Sequence, residues 1–224
     1  MASVAIDAAS PKNVKTDNCT VSGLTSGKNE IAFNYLANSL PYPVDTIPSG
    51  FGKPARSQAV GLRLVPFIDE FNEELLQVKG LQPLKKYQLK IDNKIIGTWE
   101  AADFEKGINL ALVTNTPQYQ QATAIMQLNE ERWEKERRLR EYYWMHFSIL
   151  KPHGLLFNDS EATLDSLQKY AKKDFFVAVT MPSYQKARFQ IVREAWKKEI
   201  ALLTDEIYAA NKPLNRRVEI TLIN

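Results

Sequence analysis

Tyr87-Gln88-Leu89-Lys90-Ile91-Asp92-Asn93-Lys94-Ile95-Ile96-Gly97-Thr98-Trp99 is the stretch that decides the fold class. Tyr87, Leu89 and Ile91 alternate with Gln88 and Lys90, which gives an extended segment one apolar and one polar face. Asp92-Asn93 supplies two residues tolerant of positive φ, and Ile95 to Trp99 form the return strand of a hairpin. The second half of the chain reads as long helices, so the class is α+β: a small antiparallel sheet packed with long antiparallel helices.

Toward the N-terminus, Pro66 suits the first position of a helix. Phe67, Phe71, Leu75 and Val78 recur at helical spacing until Gly80, which predicts one amphipathic helix there. Before it, residues 40–65 carry Pro41, Pro43, Pro48, Gly50, Gly52, Pro54 and Gly61, too many breakers for regular structure, and read as an ordered surface loop. Residues 1–39 are strand-rich. Val4 and Ile6, then Cys19 and Val21, then Ile31, Phe33 and Tyr35 alternate with polar neighbours, and residues 22–27 read as the turn between the last two strands.

Beyond the hairpin a short helix is expected from Glu100 to Lys106, ended by Gly107. Thr116-Pro117 combines a hydroxyl cap with a first-turn proline, and no breaker recurs before Pro152, so long helices fill 116–211. Residues 130–141 are charged except at Trp133 and Leu139, with Glu131–Lys135, Glu134–Arg138 and Glu136–Arg140 as i, i+4 pairs on a solvated face. Ser160 caps a helix to about Lys173. Pro182 is expected to interrupt or kink the next stretch, and a last helix spans 183–210 with Ala187, Ile191, Ala195, Leu203 and Ile207 as its buried stripe. Val218, Ile220 and Leu222 alternate in a closing strand over 216–223 that must pair with earlier strands, so that both termini join one sheet. The chain is read as a single α+β region, 1–224.

The 224 residues are 44% hydrophobic and 25% charged, values of a folded globular chain rather than a disordered or fibrous one. A formal charge of +3 gives no strong field for nucleic acid or anionic membrane. With one cysteine and two histidines, no internal disulfide and no Cys/His zinc site is expected, nor any cofactor. No apolar run reaches membrane-spanning length, and the first residues lack the features of a signal peptide.

Only His146 and His153 offer a neutral-pH general base, and neither sits in a recognisable nucleophile setting. His146 reads as packed in an aromatic helix end, and His153 as a turn residue near a helix C-terminus. Gly50-Phe51-Gly52-Lys53 lacks phosphate-loop spacing. Asn18-Cys19-Thr20 and Asn158-Asp159-Ser160 match the short glycosylation sequon, a frequent chance match. The polar set Asn109, Asn115, Thr116, Gln118 and Gln121 surrounds a helix start, where amides and free backbone N–H groups suit an oxygen-rich ligand or a domain interface. Gly107 and Thr116-Pro117 by themselves are fully explained as a helix stop and a helix start.

Several stretches together resemble the C-terminal region of bacterial SGNH (GDSL-type) hydrolases: Leu64-Val65-Pro66-Phe67 to Phe71-Asn72, Tyr87 to Asp92, Gly107-Ile108-Asn109-Leu110-Ala111 and Asn115 to Ala122, with Asn18-Cys19-Thr20-Val21, Leu40-Pro41-Tyr42-Pro43, Ile207-Tyr208 and Asn211-Lys212-Pro213. The resemblance implies a secreted or periplasmic esterase acting on ester-bearing substrates such as acetylated polysaccharide. The family's Gly-Asp-Ser, Gly-x-Asn-Asp and Asp-x-x-His motifs are absent here, and Met1 falls just downstream of where the last would lie. The resemblance thus implies a noncatalytic accessory module whose partner is an upstream SGNH catalytic domain, with no catalytic residue of its own. Two rivals are a free-standing carbohydrate- or protein-binding module using Tyr42, Phe51, Trp99 and the Pro/Gly loop, and an enzyme complete in this chain.

Overall fold

The computed structural model describes residues 2–10, 14–27, 29–47 and 57–223. Gly50-Phe51-Gly52-Lys53, and with it Phe51 as a ligand-stacking residue, lies outside them. The chain forms two compact units, residues 1–125 with 210–224, and residues 126–209. The class is α+β, as the hairpin and the helical periodicities predict.

In the first unit, β6 (Lys86–Ile91) and β7 (Lys94–Glu100) form the hairpin, with Asp92 and Asn93 both at positive φ. The closing strand β9 (Arg216–Ile223) enters the middle of that sheet, in the order β3-β4-β9-β6-β7, with β3 at Cys19–Ser26 and β4 at Glu30–Ala37. Register places Ile220 between Ile31 and Leu89, and Val218 between Phe33 and Ile91. All six side chains are at most 1% exposed, so β9 completes two apolar rows rather than adding an edge.

A second sheet runs β2-β1-β5-β8, from β1 (Ala2–Asp7), β2 (Val14–Asp17), β5 (Glu74–Lys79) and β8 (Ile108–Asn109). Here the expected helix from Pro66 to Gly80 is corrected. Only α1 (Phe67–Phe71) is helical, and β5 follows it, parallel to β1. Glu74, Leu76 and Val78 are buried while Leu75 and Gln77 are less so, a period of two that the 3.6-residue spacing of Phe71, Leu75 and Val78 masks. The termini therefore lie in different sheets, β1 in one and β9 in the other. The expected turn at 22–27 is also displaced: Ser22–Ser26 stays in β3 across a register shift where Gly23 takes φ +61°, and the chain reverses after Gly27. The α2 helix (Ala101–Lys106) carries a capping box and stops at Gly107, whose φ is +104°.

α3 (Pro117–Trp144) runs from the first unit into the second and continues as a π-helical stretch, Met145–Leu150. Thr116 Oγ1 accepts from the Tyr119 N–H, the predicted cap. Within the second unit, Arg138 pairs with Glu134 and Arg140 with Glu136 as expected, but Lys135 pairs with Glu199 rather than Glu131. α4 (Glu161–Ala171) is capped by Ser160. Pro182 does not interrupt: it lies inside α5 (Phe175–Ala187), and the break falls at residues 188–189 before α6 (Gln190–Ala210). The expected stripe shifts too. Ile191 is 81% exposed and Ala195 is exposed, while Trp196 is buried with Val192 packed on the same core.

Candidate functional site

The candidate residues lie in the first unit around Glu74. Because β5 alternates, the first residue of the strand points inward with Leu76 and Val78, and a carboxyl is buried there. Gln118 Nε2 donates to Glu74 Oε1 at 3.0 Å. Glu74 Oε2 and Gln118 Oε1 are both buried without a hydrogen bond. Burial pushes the Glu74 carboxyl above the usual carboxylate range, and the Gln118 bond opposes this in part. Burial likewise pushes up the Tyr35 hydroxyl, and the nearby Glu74 charge reinforces the shift.

The remaining amides tie the backbone. Asn109 Oδ1 accepts from the N–H groups of Glu74 and Ala111, and its Nδ2 donates to the Asn72 carbonyl. Asn115 Nδ2 donates to the Ile96 carbonyl at 2.9 Å. Gln121 donates to the carbonyls of Ala210 and Lys212 and accepts from Arg216, linking the start of α3 to the segment entering β9. The structure thus brings Asn109 and Gln118 together at Glu74, through the β5 backbone and carboxylate respectively. Thr116 acts as the cap, and Asn115 and Gln121 serve other joints.

Asn72, absent from the sequence-based set, does for the surface loop what a strand partner does for a strand. Its Oδ1 accepts from Tyr42 N–H at 2.8 Å and its Nδ2 donates to Tyr42 C=O at 3.0 Å. Tyr119 Oη accepts from Val44 N–H. The pinned loop and residues 71–74 enclose a cavity of about 120 Å³, lined also by Ala2, Ser39, Leu40 and Pro41. Of the aromatics in the binding-module reading, Tyr42 is half exposed, whereas Trp99 is partly buried and packs edge-on against Phe104 of the core.

The second unit buries a network that no motif announces. His146 is fully buried; its Nδ1 accepts from Phe157 N–H, so Nε2 carries the proton facing Asp159 Oδ1 at 3.1 Å. Tyr142 donates to Asp159 Oδ2 at 2.8 Å, and Arg193 stands 3.5 Å from the same oxygen. Burial holds His146 below the usual histidine range, against the pull of Asp159. Ser160 is occupied with Thr163. Among the described residues there is no cluster of three or more metal-ligating side chains, and no helix is long and apolar enough to cross a membrane.

No curated protein matches the chain. A solved structure of a gut microbial diltiazem-metabolizing enzyme is 42% identical, with a TM-score of 0.89, over 99% of this chain and 50% of that chain. This chain therefore spans half the length of that enzyme. The matches overturn the resemblance to SGNH (GDSL-type) hydrolases, since they point to a diltiazem-metabolizing enzyme instead. Much of what carried that resemblance, such as Gly107 and Thr116-Pro117, is helix punctuation, which unrelated folds share. What the chain is similar to is a diltiazem deacetylase: residues 123–212 match the model of its C-terminal helical domain.

Proposed function

We propose that the chain is a noncatalytic accessory half of a deacetylase-type ester hydrolase, and that it packs on the half bearing the catalytic groups. The observation carrying this reading is that essentially the whole chain matches only half of a drug-metabolizing enzyme's length. The chemistry within the chain agrees. Both His146 nitrogens are committed, to Asp159 and to a backbone N–H, so that imidazole has no lone pair to offer a serine. The test is hydrolysis of p-nitrophenyl acetate by the purified chain. A rate at the buffer level is expected, unchanged in Ser160→Ala, whereas a burst phase lost on a serine substitution refutes the reading.

A further inference from the structure

The pinned loop and α1 present an aromatic, acidic surface, and the geometry points to this surface as the seat of the catalytic half. Phe67 packs edge-on against Tyr42 at 5.3 Å between centroids and lies 6.1 Å from Phe71. Tyr42, Leu64, Val65 and Phe71 remain largely exposed, Leu64 at 85%. Within the described residues 42–47 and 57–74 the charges outside the core are Asp45, Asp69, Glu70 and Glu73 against Arg63, Glu74 being buried. The cavity beside Tyr42 and Phe71 is lined by Glu73 and Glu74, and no described lining residue is basic.

An apolar rim around an acidic hollow fits a partner segment with apolar contacts and one lysine or arginine as anchor. The surface is held ready, since Asn72 fixes Tyr42 through two hydrogen bonds and Tyr119 holds Val44, which lowers the ordering cost of association. The similar enzyme carries as much chain again as the part matched here, and that remaining half is the occupant. This inference rests on the accessory-half reading and adds where the contact is made and by what chemistry.

The experiment measures binding of the purified chain to the separately produced unmatched half of the diltiazem-metabolizing enzyme, by titration calorimetry. Leu64→Asp, Phe71→Asp and Glu73→Lys are each expected to weaken binding about tenfold or more, with the melting temperature of the isolated chain unchanged because the side chains are not buried. Leu84→Asp is the control: Leu84 is 97% exposed and lies past the opposite end of β5, so binding is expected to be kept. Variants that bind as tightly as the parent overturn the surface assignment and leave the accessory-half reading standing. Failure of the parent chain to bind overturns both. A concentration-dependent dimer of the chain itself, broken by the same variants, makes a second copy the occupant and also overturns the assignment.

Discussion

Glu74→Gln exchanges a buried acid for an amide of nearly the same shape and removes its titration. In the parent chain the Glu74–Gln118 pair contains two unpaired buried acceptors, Glu74 Oε2 and Gln118 Oε1. A proton on Glu74 supplies a donor to that pair, and an ionised Glu74 supplies none. The folded-state pKa is raised by burial, so the sign is fixed. The stability contribution is complete below the ordinary carboxylate pKa and is lost as pH rises through the folded value. Gln118, Tyr35 and Arg216 each favour the charged form, and burial outweighs them. Leaving a buried acceptor unpaired costs about 1 to 3 kcal/mol, or roughly 2 to 12 °C in melting temperature for a chain of this length. Glutamine provides its donor at every pH. The variant is therefore expected to match the parent at pH 4.5 and to exceed it by about that margin at pH 8. The indole resonance of Trp99 reports the first unit alone, since Trp133, Trp144 and Trp196 lie in the second. Parallel pH profiles for parent and variant, or a variant less stable at pH 8, refute the reasoning.

Asn109→Ala removes an amide that makes three backbone hydrogen bonds, and a loss of about 1 to 3 kcal/mol is expected in chemical denaturation of the first unit. In the second unit the folded His146 pKa is depressed, so acidification below the ordinary histidine value of about 6.5 should cost stability there. His146→Gln, followed through the three indole resonances of that unit, should flatten this dependence. Gly97→Ala puts a Cβ 2.5 Å from the Trp99 ring, so the ring must move; a shifted Trp99 fluorescence spectrum and a lowered melting temperature are expected. Deleting residues 214–224 removes the middle strand of the five-stranded sheet and should abolish cooperative melting of the first unit.

Local signals in the sequence were reliable wherever one physical requirement dominated. Asp92-Asn93 marks its hairpin because two successive positive-φ residues suit few other structures, and Thr116-Pro117 and Ser160 announce helix starts through their caps. The misreadings arose where two periods fit the same residues. Phe71, Leu75 and Val78 satisfy a helix, and only the parallel partner β1, some seventy residues earlier, selects the strand. Pro182 is tolerated within α5, and the stripe of α6 is set by Trp196 rather than by Ile191. For the candidate site, amides near a helix start were visible, but their partners were not. Glu74 was hidden because it lay in a misread helix, and burial of an acid at a strand start follows from alternation only once the strand is known. Asp159 became visible only when folding placed it against Tyr142 and His146.

The position of β9 bears on how the chain is made. β3 and β4 form one hairpin and β6 and β7 another, and β9 alone joins them into a sheet. Residues 126–209 emerge from the ribosome between those hairpins and the strand that unites them. At about 5 to 20 residues per second, the facing edges of β4 and β6 wait for seconds with open backbone groups and apolar rows. By the end of that interval the helical unit has all its residues and can fold, whereas the first unit still cannot close. A nascent chain stalled before Arg216 should therefore show protected helices beside protease-sensitive hairpins, with the exposed strand edges as the point where aggregation begins.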